Sequence, residues 1–180
     1  MTQVGHVLAG AAIGILCKPD RTPPKWLVVY FGAFLLLANI PDLPFKGWGH
    51  DRYDVSHSIF VNLLLIAIVV AVLLFGKDFW GKIGGWKVMA GGAAAWLSHL
   101  LLDSFYNHGH GVAIFWPLSG ASLALPMPWF SVVTEPMYFS AAGFREYLTE
   151  GVFYSLLVGI ALAIKSVSTT KDRQTGEIKQ

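Results

Sequence analysis

Five apolar stretches separated by polar punctuation organise the chain, at residues 3–17, 26–40, 58–75, 86–103 and 147–164. The third, SIFVNLLLIAIVVAVLLF from Ser58, carries a single amide in an otherwise aliphatic run. A membrane-crossing helix takes roughly 20 residues, with a lower limit of about 17, so the third, fourth and fifth stretches are long enough to span. The first two are short, and short helices persist at membrane depth only where neighbouring protein covers them. The pattern predicts an all-α integral membrane protein, a bundle of about five apolar helices forming one domain over residues 1–165. The polar tail 166–180 lacks apolar periodicity and is expected to be disordered.

Composition agrees with a membrane solvent. Charged residues make up 13% of the chain, against about 25% in soluble domains, and the mean hydropathy is +0.55. A net charge of +2 gives no basic field of the kind that binds nucleic acid, and none is expected as a partner. Cys17 has no second cysteine to pair with and reads as packing. MTQVGH places no Lys or Arg before the first apolar run, which argues against a cleaved signal peptide, so the first helix is expected to be retained.

Basic residues set an orientation, because Lys and Arg favour cytoplasmic loops. If the loop 18–25, the loop 76–87 and the C-terminal tail share the cytoplasmic side, ten basic residues lie there against Lys46, Arg52 and Arg145 opposite. With the N-terminus outside, His6, Asp42, His57, His99, Asp103 and the loop histidines His50, His108 and His110 all fall at the outer face. The charge rule makes no reference to histidine, so this convergence is a partly independent observation.

Within LSHLLLDSF (97–105), His99 and Asp103 stand at i and i+4 and therefore share a helix face. Imidazole and carboxylate together suit zinc or another borderline divalent metal, although a capping pair at a helix end has the same spacing. Asp42, between two prolines in IPDLP, reads equally as a turn former. His57 follows Ser56, an expected N-cap, and reads alone as a first-turn histidine; His6 reads alone as an interfacial one. Their joint placement favours a site, since ionisable groups at a membrane tend to be functional. Gly10, Gly14 and GGAAA (91–95) allow close helix approach and would bring His6 beside His99. FWP (115–117) and PMPWF (126–130) read as interfacial anchors, while Glu135, Glu146 and Arg52 carry no supporting motif.

The order His6, PDL (41–43), SHS (56–58), SHLLLD (98–103) and GVAIFWPLS (111–119) resembles the YdjM-type family of membrane-bound metal-dependent hydrolases, over roughly residues 1–120. The resemblance implies His6, Asp42, His57, His99 and Asp103 as metal ligands, with Asp42 and His57 also catalytic. His50, Arg52, His108 and His110 are possible additional ligands or substrate-binding groups. Pro44 and Phe45 stand where the family pattern has a second Asp and a His, and HDRYDVSHS (50–58) replaces its His-Arg-Gly-x-Thr-His-Ser stretch. More remotely the pattern is similar to zinc-dependent phospholipase C and P1 nuclease, which implies phosphoester hydrolysis.

The expected function is therefore a zinc- or manganese-dependent hydrolase in the inner membrane, multi-pass, with its site facing the periplasm and its C-terminus in the cytoplasm. Its expected substrate is a phosphate ester of a lipid or lipid-linked molecule. No G-x-S-x-G elbow suggests a serine nucleophile. The rivals are a membrane metal-binding or transport protein without hydrolysis and a structural protein with incidental histidines. A transporter would need polar groups near the bilayer midplane, and the long stretches offer only Asn62, Tyr154 and Ser155 there.

Overall fold

The computed structural model describes all residues except 1, 21, 76–84, 107–110, 126, 132–138 and 178–180. His108, His110 and Glu135 lie outside the described residues. Five long helices form where apolar runs occur: α1 (Gln3–Cys17), α2 (Pro24–Leu37), α4 (Ile59–Phe75), α5 (Gly85–Asp103) and α6 (Ala141–Glu177). Between α2 and α4 lie two short 3-10 turns, at Ile40–Asp42 and Gly49–Arg52, and a single helical turn α3 (Tyr53–Ser56). No strand occurs among the described residues, apart from one isolated antiparallel bridge between Val112 and Leu123. The all-helical class is therefore as expected, while spanning is clear for fewer helices than the apolar runs suggested.

Among the described residues, one stretch is both long and apolar enough to cross a membrane by itself, Ala141–Thr170 of α6. Ile59–Phe75 reaches that length only together with Gly49–Ser56, from which it is bent by 93°. The fourth stretch, read as a span, forms a helix whose glycine- and alanine-rich face is buried. Helix α6 also continues through residues 166–177, where the polar sequence was expected to be disordered.

Helix α1 lies at the centre and packs on α2, α5 and α6. Its glycines make this possible. A methyl group at Gly10 would come within 2.8 Å of the Phe34 carbonyl oxygen and 2.9 Å of the Ala38 Cβ, and one at Gly14 would press on the Phe34 and Phe31 rings. On α5, a methyl group at Gly91 would overlap the Cys17 sulfur. Small residues thus bring backbones together, as membrane helices require in the absence of a hydrophobic driving force between them. Cys17 is a packing residue and a free thiol, as expected.

Helix directions follow from cross-contacts. Thr2 meets Glu150 at one end of the α1–α6 pair and Asp20 meets Lys165 at the other, at 2.8 Å, so these helices run parallel. His6 meets His99 while Cys17 faces Gly91, so α1 and α5 run antiparallel. Large apolar side chains remain exposed along the outside, among them Val28, Leu64, Val72, Phe75, Leu156 and Val167. Such a surface suits a hydrocarbon surround.

Candidate metal centre

Four separate backbone devices deliver the polar side chains to one end of the bundle. The first turn of α1 carries His6. Pro41 has no N–H with which to continue α2, and the 3-10 turn that replaces the helix turns Asp42 inward. The loop after it is pinned by the Trp48 indole N–H, which donates to the Ile40 carbonyl at 2.7 Å. Gly49, at φ +57°, allows a reversal in which any Cβ would collide with the Leu43 carbonyl, and so feeds the chain into α3. His57 stands at the 93° bend that follows. The last two turns of α5 present His99 and Asp103 on one face, the i, i+4 relation legible in the sequence.

The five groups converge. His6 Nε2 lies 3.1 Å from Asp103 Oδ1. His57 Nε2 lies 3.4 Å from Asp42 Oδ1 and 3.3 Å from Asp103 Oδ2. His99 Nε2 lies 3.6 Å from Asp42 Oδ2 and 3.7 Å from Asp103 Oδ2. The His6 and His99 rings stack with centroids 3.6 Å apart, the neighbourhood that the glycine pattern implied. His6, His57 and His99 are wholly buried and Asp103 nearly so.

The buried polar atoms call for a cation. His6 Nε2, His57 Nε2, His99 Nε2 and Asp42 Oδ1 lie close to their neighbours without making a properly directed hydrogen bond. Leaving such groups unsatisfied costs about 1–3 kcal/mol each. Ligands about 2.0–2.1 Å from a tetrahedral cation lie ~3.3–3.4 Å from one another, which the observed separations approach. One atom each from His6, Asp42, His99 and Asp103 can be chosen so that all four lie within 4.8 Å of one another. Two carboxylates among neutral imidazoles also match the charge of a dication. The residues present therefore could hold a divalent metal ion.

Outer contacts set the tautomers. His99 Nδ1 lies 2.8 Å from the Ala38 carbonyl oxygen, which can only accept, so Nδ1 carries the proton and the Nε2 lone pair points inward. Ser56 Oγ donates to the Gly49 carbonyl at 3.2 Å and so accepts from His57 Nδ1 at 2.8 Å, leaving His57 Nε2 bare. Metal-binding histidines characteristically have such partners.

The structure corrects the expectations for Ser56 and Phe130 and places Arg52, Glu146 and His50. Ser56 does not cap α4; Ser58 does, accepting from the Val61 N–H, while Ser56 orients His57. Arg52 turns to Asp54 at 3.5 Å. Glu146 accepts from the Ser131 N–H. Phe130, read as an interfacial anchor, is buried against Tyr106 and Tyr154. His50 is exposed, with Nε2 3.7 Å from Asp42 Oδ1.

Two contributors were missed. Tyr53 stacks on His57, with centroids 3.8 Å apart, and donates to Asp103 Oδ2 at 3.3 Å. Glu150, fully buried on α6, accepts from the Thr2 and Gly5 N–H groups and the Thr2 hydroxyl, capping α1 just before His6. The only sequence signal for Glu150 was a carboxylate at the head of an apolar helix.

The family model of the YdjM inner membrane proteins matches residues 1–171. Inner membrane protein YbcI of Escherichia coli (strain K12) is 29% identical over 143 residues, covering 77% of this chain and 79% of the relative. No solved structure matches. The chain belongs to the YdjM family of inner membrane proteins.

Proposed function

We propose that the protein is a metal-dependent hydrolase that cleaves a phosphate ester of a lipid or lipid-linked molecule at the membrane surface. The observation that carries this reading is the buried His6, Asp42, His57, His99 and Asp103 cluster, whose bare Nε2 and carboxylate atoms stand at cation-binding separations. A bound divalent ion supplies Lewis acidity to water and to a phosphoryl oxygen. His6, His99 and Asp103 hold the ion from the closed side. Asp42 is the least buried member of the cluster, and its Oδ1, between His57 and the exposed His50, would orient the attacking water. His57, fixed by Ser56, holds its Nε2 beside that oxygen.

The lipid substrate follows from what surrounds these two residues. Ile59 N–H donates to the Ile114 carbonyl and Ser58 Oγ to the Trp116 carbonyl, so the 112–119 loop packs beside His57. This loop exposes Phe115 and Leu118, and Phe45 is exposed on the chain following Asp42. An apolar rim around a polar, cation-binding centre suits a molecule with an anionic head and a hydrocarbon tail. The site lies at the bundle end that carries few lysines and arginines, which favours a periplasmic site in a multi-pass protein with a cytoplasmic C-terminus. Simple conduction of an ion is disfavoured, because Asn62 is saturated by the Ser56 and Ser58 carbonyls and the Trp96 indole.

Elemental analysis of detergent-purified wild type beside His99→Ala and Asp103→Ala tests the centre. Near-stoichiometric zinc or manganese, lost in both variants while helical circular dichroism is kept, is the expected result. No metal in the wild type after reconstitution with excess ion would overturn the mechanism. Incubating metal-loaded protein with a lipid extract and a soluble phosphodiester tests the substrate; cleavage of the soluble ester alone would remove the lipid.

A further inference from the structure

We propose that this centre holds two divalent cations, a closed inner one and a second, solvent-open one bound by His50, His57 and Asp42 with Asp103 shared between them. This rests on the metal-dependent reading above and adds to it the number of ions and a role for His50. The division is visible in how the two carboxylates direct their oxygens. Asp42 turns Oδ2 to His99 and Oδ1 to His57 and His50. Asp103 turns Oδ1 to His6 and Oδ2 to His57 and His99. Asp42 therefore faces the inner His99 with one oxygen and the outer His57 and His50 with the other, as a bridging ligand does between two ions, while Asp103 keeps Oδ1 for the inner His6 and places Oδ2 between His57 and His99.

The outer set includes two bare, buried atoms, His57 Nε2 and Asp42 Oδ1, and His57 lies outside the group His6, Asp42, His99 and Asp103 whose ligand atoms come within 4.8 Å of one another. Its separations of 3.3, 3.4 and 3.7 Å again approach the spacing of ligands around one ion. Tyr53 holds the set together from behind. Its ring stacks on His57 at 3.8 Å and lies within 8° of parallel to the His50 ring at 6.3 Å. Among these histidines, His50 alone opens the outer position to solvent: its side chain is 79% exposed, whereas His6, His57 and His99 are sealed. A closed position retains its ion, and an open one keeps room for water and substrate. Two dications against two carboxylates leave positive charge uncompensated, so the site attracts an anion such as a phosphate ester.

Mn(II) provides the probe. Detergent-purified full-length protein is titrated with Mn(II), counted by elemental analysis and followed by electron paramagnetic resonance, in wild type, His50→Ala and His6→Gln. Two equivalents in wild type, with the broadened spectrum of a coupled pair, are expected. His50→Ala, at a position whose side chain is 79% exposed, should retain one equivalent with an isolated-ion spectrum and weaken the other by about ten-fold or more, with helical circular dichroism unchanged. His6→Gln should weaken the tighter equivalent. One equivalent in wild type, unchanged in His50→Ala, would overturn the second position while leaving the metal-dependent reading intact; no Mn(II) in wild type would overturn both.

Discussion

The two ends of the bundle hold similar groups in opposite circumstances. At one end, histidines and aspartates meet at 3.1–3.7 Å with His6, His57 and His99 sealed from solvent. At the other, Asp20 and Lys165 meet at 2.8 Å with the Asp20 side chain 56% exposed. The exposed pair is shorter, yet water already solvates both partners, and such pairs contribute about 0–1 kcal/mol. The buried cluster is looser, and its atoms have lost water without gaining well-directed hydrogen bonds. Desolvated charges of that kind are costly unless paired, often several kcal/mol per ion. Distance alone therefore misjudges the two ends, and burial singles out the one whose His and Asp side chains could hold a metal ion.

The largest expected effect breaks the symmetry of the comparison outright. With Mn(II) at 100 times its dissociation constant, thermal unfolding of the wild type should shift by the equivalent of about 2.7 kcal/mol relative to chelator-treated protein. Asp103→Asn should show almost none of this shift. Equal shifts in both proteins would mean that the buried end is no ion site.

Next comes the packing that creates the buried end. Gly91→Val places branched carbon where Cys17 sits, and should destabilise the fold by about 1–3 kcal/mol, measured by thermal or denaturant unfolding in detergent. Gly151→Ala, on an open face of α6, should be silent by comparison. A finer test leaves the ligands in place. Ser56→Ala removes the acceptor that holds His57 Nδ1–H and should weaken Mn(II) binding by about ten-fold, ~1.4 kcal/mol, without unfolding the protein. An unchanged affinity would show that His57 needs no such support.

The smallest effect is expected at the far end. Lys165→Ala should change stability by less than about 1 kcal/mol and leave Mn(II) affinity unaltered. A loss of metal in this variant would mean that the two ends communicate along the parallel α1–α6 pair, which the static arrangement gives no reason to expect.

Parts of this arrangement were legible beforehand. The first four apolar runs became helices with ends displaced by at most three residues, while the fifth extends to Ala141–Glu177, because length and hydrophobicity decide element type while local capping decides boundaries. His99 and Asp103 were readable as a pair because helical periodicity is a property of the chain itself. Asp42 was not readable alone, since Pro and Asp make turns for many reasons. Ser56 and Ser58 exchanged their expected roles because two serines flanking one histidine offer the same chemistry, and only the 93° bend selects which caps and which orients. Glu150 was passed over because its partners, the Thr2 and Gly5 amides, lie far away in sequence.

The sequence by itself determined an all-helical chain, its small-residue contact faces and the chemistry available for a metal centre, since periodicity, side-chain volume and ligand type are local properties. Only the tertiary structure decided that His6 stacks on His99, that Tyr53 stacks on His57, and that Asp42 divides its oxygens between two sets of imidazoles. Those are relations between groups on different helices. They depend on how closely Gly10 and Gly91 let three backbones approach, a distance that no single segment encodes.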